Sequence, residues 1–309
     1  MTDIKEFVGE DYVHSSNALF HFMTSPKYMI DALKRKALCP RYCDEDVRYL
    51  NIILDGHKFE KVAVLQKCFC DIPLHNVIRK FPIKLVNSDN LTDDKRVKLP
   101  KEFSHPDLYG EYALAFSKKW GEHNKLQPVY YLNEEADITL QFSKMLQNIL
   151  KEKDLSDRVS DTLLNWMCFL KPLRGSMKRN FKANNENITF EMYKNFHDEH
   201  EWRYVPFGVK MNGQELDCLI ANRNVRSAYL RLLSDRLQQE DEFQLFWLPF
   251  QYDELRYIIV PDKTGRLEII RAIQNLSDDL FDKEDIDLQK AILISKSTCL
   301  RKPFKHHTE

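Results

Sequence analysis

His197-Asp198-Glu199-His200-Glu201-Trp202-Arg203-Tyr204-Val205 is the stretch whose reading decides the fold. Its last five residues have strand chemistry, and a strand alternates its faces at every residue. Glu199, Glu201 and Arg203 then point one way, and His200, Trp202 and Tyr204 the other. One face is charged and the other apolar and aromatic, the pattern of a half-buried strand that carries a polar site.

Working outward, Asn17 to Phe22 and Val62 to Cys70 read as apolar strands, and Tyr112 to Phe116, Pro128 to Leu132 and Arg256 to Val260 as three more. Leu288 to Ser295 reads as a last strand. Ser25 before Pro26 is a helix-start signal, followed by Met29, Ile30, Leu33 and Ala37 at helical spacing. Residues 134 to 170 are helix-periodic and predict two inserted helices. Val225 to Leu237 predicts a helix with Tyr229, Leu232 and Leu233 on one face, and Leu267, Ile270, Ile273 and Leu276 mark another. Residues 84 to 108 read as a surface loop, Tyr109-Gly110 as the opening of the next strand, and Asp71 as a helix cap. Strands and helices alternate irregularly, with no glycine-rich phosphate loop. The expectation is one α+β domain over residues 1–309, with a mixed or antiparallel sheet, flanking helices and a helical insertion at about 134–175.

Bulk properties narrow the function. Of 309 residues, 43% are apolar and the net charge is −1, which argues against a globally basic nucleic-acid binder. No run approaches the roughly 20 apolar residues that cross a bilayer. Met1 to Glu10 has no signal-peptide core, so the expectation is a cytoplasmic protein without membrane contact. Seven cysteines, an odd number, point to reduced thiols. The spacings Cys39 to Cys43 and Cys68 to Cys70 miss the usual zinc pattern, and the cysteines read as small buried hydrophobes rather than metal ligands. His306 and His307 read as a loose tail.

Glu201 is the sharpest candidate for chemistry. A carboxylate on a strand, two residues after Glu199, can orient a sugar hydroxyl and stabilise positive charge at an anomeric carbon. The alternative is an exposed ion-pair ladder of Glu199, Glu201 and Arg203, worth little energetically. His21 sits at a strand end just before a helix start, where Thr24 adds a hydroxyl and backbone N–H groups favour a phosphate. Tyr109 and Tyr112 flank Gly110 and Glu111 and can stack on a flat ring, or serve as core aromatics. Arg41, Lys171, Arg174 and Arg203 are either phosphate contacts or solvated surface charge. A serine-hydrolase elbow is absent from the sequence.

Several segments together resemble one family. They are Leu19-Phe20-His21-Phe22-Met23-Thr24, Cys39-Pro40-Arg41-Tyr42-Cys43, Cys68-Phe69-Cys70-Asp71-Ile72-Pro73-Leu74, Tyr109-Gly110-Glu111-Tyr112, Pro128-Val129-Tyr130-Tyr131 and Asp198-Glu199-His200-Glu201-Trp202-Arg203-Tyr204. In order and wording they resemble the AbiGi abortive-infection family of phage-resistance proteins, over roughly residues 17 to 260. The resemblance implies an antitoxin-like component that binds a partner defence protein or a phage trigger. A more distant likeness is to NAD-dependent ADP-ribosyltransferases, whose sites order a His or Arg, a Tyr or Ser, and a late Glu. That likeness implies an ADP-ribosyltransferase-like fold and a mono-ADP-ribosyltransferase acting on nucleic acid or protein. In it His21 would bind a ribose of NAD, Thr24, Tyr109 and Tyr112 would help to hold the cofactor, Glu201 would hold the nicotinamide ribose, and Glu199 would orient the acceptor.

Overall fold

The computed structural model describes residues 16–300 apart from 55, 83, 86–101, 152–162, 164, 184–185, 212 and 221–226. The chain opens with β1 (Ala18–Met23) and α1 (Pro26–Arg35). The Ser25 side chain accepts from the Lys27 amide, Pro26 fills the first helical position, and Lys36 ends the helix in the left-handed region. β2 (Arg41–Asp46) and the ten-residue β3 (Lys61–Cys70) follow. Short α2 (His105–Tyr109), β4 (Tyr112–Ser117) and α3 (Lys118–His123) come next. Then come β5 (Gln127–Pro128), β6 (Tyr130–Leu132) and α4 (Asp137–Lys151). β7 (Leu170–Pro172) leads into a long hairpin, β8 (Arg174–Ala183) and β9 (Glu186–Asn195). The last third holds β10 (Glu201–Tyr204), β11 (Leu219–Ile220), α5 (Ser227–Gln239), β12 (Leu255–Val260), α6 (Lys263–Gln274), α7 (Ile286–Ser295) and β13 (Ser297–Cys299).

The main sheet runs β5-β10-β3-β1-β4-β12-β13. It is antiparallel except that β12 and β13 pair in parallel, so the sheet is mixed. β3 is long enough to serve two groups of partners. Its C-terminal end pairs with β10, Glu201 opposite Cys70 and Tyr204 opposite Lys67, and touches β1 at Cys70 alone. Its N-terminal part pairs with β2, Arg41 opposite Gln66, and with β11. β1 therefore leaves β3 before β2 joins it, and the sheet is split along that line.

Strand alternation sorts the core. On the first face Leu19, Phe69, Leu114, Phe116, Ile258 and Val260 lie under apolar side chains of α1, α3, α6 and α7. On the second face Phe20, Cys70, Ala113, Ala115 and Ile259 pack together. Gly110 has a φ of +114°, and a Cβ there would stand 2.1 Å from the Met23 carbonyl oxygen. Only glycine lets α2 turn into β4 this close to the end of β1.

Several expectations change. Leu288 to Ser295 belongs to helix α7, and the last strand is Ser297–Cys299. Tyr109 ends a helix instead of opening a strand. Within residues 84 to 108, Lys84–Leu85 pairs with β9 and Ser104 caps α2; residues 86–101 lie outside the described residues. On α5 the buried positions are Leu230, Ser234 and Leu237, while Tyr229 and Leu232 are exposed. Of the two inserted helices, α4 is present, and most of the segment expected to form the second lies outside the described residues, as do Met1 to Glu10, His306 and His307. Asp71 caps no helix; it accepts from the Ser16 amide and pairs with Lys118 at 2.5 Å. No helix among the described residues is long and apolar enough to cross a membrane.

Candidate functional site

The Glu199 to Tyr204 segment forms only partly as read. β10 starts at Glu201, Glu199 closes a 3-10 turn, and His200 between them takes a φ of 44°. Both carboxylates nevertheless reach one cluster, and both are buried, at 4% and 5% exposure. The charged side of the strand is therefore the inner one, not an exposed ladder. Trp202 and Tyr204 pack on the opposite face, as alternation requires.

All four carboxylate oxygens of Glu199 and Glu201 are taken. Glu199 Oε1 accepts from Lys194 Nζ at 2.6 Å and from the Tyr109 hydroxyl. Glu199 Oε2 accepts from Lys171 Nζ at 3.0 Å. Glu201 Oε1 accepts from Arg203 Nε at 2.6 Å, and its Oε2 from the same Lys171 ammonium. Arg203, fully buried, also donates to the Cys168 carbonyl at 2.7 Å and lies 3.1 Å from Glu45, a charge contact outside hydrogen-bond geometry. Glu45 in turn accepts from Gln66 Nε2 at 2.6 Å. Three carboxylates face Lys171, Lys194 and Arg203, so charge within this ion-paired cluster is balanced. These cations hold the Glu199 and Glu201 carboxyls well below the ordinary carboxylate range, against the opposing push of burial. Burial raises the Tyr109 hydroxyl, with Glu199 adding to the shift.

The sequence reading missed Lys194 and treated Lys171 and Arg203 as candidate phosphate contacts. Lys194 comes from β9 and Arg179 from β8, whose guanidinium lies 4.8 Å from the Tyr109 ring centre. That hairpin was legible: Met177, Arg179 and Phe181 alternate in the sequence, as do Ile188, Phe190 and Met192, on either side of an Asn-Asn pair.

Tyr109, Lys171, Arg179, Glu199 and Glu201 line one cavity of about 330 Å³ at the second face of the sheet, and His21 borders it. The His21 ring, however, packs on Phe69 at 5.6 Å, on the face opposite Glu201. Its Nδ1 lies 2.8 Å from the Cys68 carbonyl, next to the place where β1 separates from β3. Burial and the nearby Lys67 charge push its pKa well down, keeping the ring neutral. Thr24 lines a different cavity, on the other side of the split. Tyr112 joins neither: its hydroxyl sits beside Gly265 of α6. Of the six residues expected to share a site, Tyr109, Glu199 and Glu201 are in direct contact or share Lys171; His21, Thr24 and Tyr112 are not part of that cluster. Of the seven cysteines, all free, Cys70, Cys168 and Cys218 are buried, whereas Cys39, Cys43 and Cys68 are half-buried around the split. No group of three or more His, Cys, Asp or Glu side chains suited to a metal ion occurs among the described residues.

Residues 98–261 match the family model described as "Putative abortive phage resistance protein AbiGi, antitoxin". The chain belongs to the AbiGi family. Its role therefore lies in abortive phage resistance. An "Abortive phage resistance protein AbiGi" of Lactococcus lactis subsp. cremoris is 29% identical over 268 residues, covering 84% of this chain and 95% of that protein. No solved structure matches. The AbiGi match contains Tyr109, Lys171, Lys194, Glu199, Glu201 and Arg203, so the ion-paired cluster apart from Glu45 falls within it, whereas His21 lies outside it.

Proposed function

We propose that this chain serves abortive phage resistance as an antitoxin-like cytoplasmic component, restraining a partner protein by direct contact. The single observation that carries this reading over an enzymatic one is the occupancy of all four oxygens of Glu199 and Glu201 by Lys171, Lys194, Arg203 and Tyr109. With a cation on every oxygen, each carboxylate is committed to ion pairs within the chain and has no raised pKa with which to move a proton. The residues that dominate binding at protein contact surfaces are enriched in Trp and Tyr. Tyr130 and Trp166 support such a surface here: they are 45% and 49% exposed and stack on each other at 5.5 Å with 7° between the rings. The test is phage challenge of cells carrying the whole defence system, with Tyr130→Ala and Trp166→Ala introduced together, alongside co-purification of the partner. The expected result is loss of both restraint and co-purification, with the chain still folded. Retention of both would contradict the proposed surface.

A second reading, ADP-ribosyl transfer from NAD to nucleic acid or protein, is favoured by one observation. Tyr109, Glu199 and Glu201 line a common cavity that His21 also borders. Release of nicotinamide from NAD together with labelling of a nucleic-acid or protein target by the purified chain, both abolished by Glu201→Gln, would establish this reading and displace the first.

A further inference from the structure

Across the split from the carboxylate cluster lies a second cavity, of about 270 Å³, on the first face of the sheet between α1, β1, β2 and β3. This is close to the lower end of the size range of small-molecule sites, roughly 300 to 1,000 Å³. Lys67, Arg35 and Arg41 line it, and Asp31 is the acidic residue that does so among the described residues. Lys67 is only partly exposed and projects from the middle of β3. Among the described residues no carboxylate pairs with it; burial lowers its pKa, and Cys39, Cys43, Cys68, Arg41 and the neutral His21 ring stand near it. Those thiols do not neutralise it. Burial raises Cys39 to about 11 and pushes Cys43 and Cys68 up as well, so all three stay protonated near neutral pH. Arg35 is anchored by a 2.7 Å bond to the Gln238 carbonyl and by the Trp247 ring at 4.8 Å, which fixes its guanidinium beside the cavity.

A half-buried ammonium with no counter-ion is costly, because burial penalises charge that nothing offsets. Ligand binding explains its retention: an entering anion supplies the missing charge. Lysine suits phosphate as a point charge, and a neighbouring guanidinium adds directed bonds. Tyr28 at the rim, 44% exposed, gives a flat surface on which a base can lie.

We propose that this cavity binds a phosphate-bearing ligand of mononucleotide size, with Lys67 holding the phosphate, Arg35 and Arg41 flanking it, and Tyr28 against the base. This does not rest on the restraint of a partner protein and stands or falls separately from it.

The experiment is calorimetric titration of the full chain with AMP, NAD, inorganic phosphate and adenosine. At least one of the three phosphate-bearing probes is expected to bind, and whichever binds most tightly identifies the source of the phosphate. Adenosine is expected to bind at least tenfold more weakly than AMP or NAD. Lys67→Met, which keeps the length of the side chain but not its charge, is expected to weaken binding at least tenfold while melting no lower than the parent. Arg41→Gln, at the exposed rim, is expected to weaken it severalfold and serves as the readout if Lys67→Met does not fold. The proposal is overturned if none of the phosphate-bearing probes binds, if adenosine binds as well as they do, or if a folded Lys67→Met binds them undiminished. With Lys67→Met unfolded, undiminished binding by Arg41→Gln overturns it too.

Discussion

On one face of the sheet Glu199 and Glu201 meet Lys171, Lys194 and Arg203; on the other, Lys67 stands with no carboxylate paired to it among the described residues. The two places lie on either side of the same split in β3, and strand alternation keeps them apart: Glu201 and Arg203 share the face of Cys70 and Cys68, while Tyr204 shares that of Lys67. The difference teaches how to read buried charge here. Where every charge has a partner, the arrangement fixes the fold. Where one is left over, the fold holds a place for something that is not part of the chain.

The sharpest break in that comparison comes from Lys171, which serves both carboxylates. Lys171→Met leaves Glu199 and Glu201 partly uncompensated in a buried site and is expected to lower stability by about 3–5 kcal/mol in urea titrations. A loss below about 1 kcal/mol would mean that the cluster is well solvated and not structural.

Acidification probes the same side more gently. His105 is buried, stacks on Tyr109 at 4.4 Å, and is held neutral because burial and nearby Lys194 push its pKa down to about 3. The unfolded chain takes up that proton below roughly pH 6.5, so stability declines as pH falls through this value. The lowered Glu199 and Glu201 carboxyls add a further loss below about pH 4.3, where the unfolded chain binds protons that the folded one refuses. Melting temperature is expected to fall from pH 7 to pH 4, and His105→Phe to flatten the upper part of that decline without removing the lower part. A melting temperature that rises on acidification would contradict both assignments.

The smallest effect is expected at the surface pair. Tyr130→Ala and Trp166→Ala should each change stability by no more than about 0.5 kcal/mol, since neither ring is buried in a core. A much larger loss by chemical denaturation would show that the pair supports the fold and weaken its assignment as a contact surface.

Much of the sheet could be read in advance because its strands are apolar runs with clean ends. Ser25-Pro26 marked α1, and the opposition of Glu201 to Trp202 followed from alternation alone. What failed had physical causes. Leu288 to Ser295 is apolar enough for a strand, and its periodicity is too weak to separate a short helix from one. The burial of Glu199 and Glu201 depended on Lys171 and Lys194, which are 28 and 5 residues from Glu199 along the chain and reach it only through the β8–β9 hairpin and β7. A strand pattern shows which side chains share a face, but not whether that face meets water or another layer. His21 illustrates the same limit: its place before α1 was legible, but the side of the sheet to which its ring turns followed from the register of β1 on β3 at Cys70.

The central claim is that Glu199 and Glu201 are structural anions, saturated by matched cations. Carboxyl carbon NMR titration of the folded chain tests it most directly. The account predicts that both side chains remain ionised at pH 4, below the roughly 4.3 of a free glutamate. A carboxyl among the two that titrates above about 5 would mark a group poised for proton transfer and contradict the account.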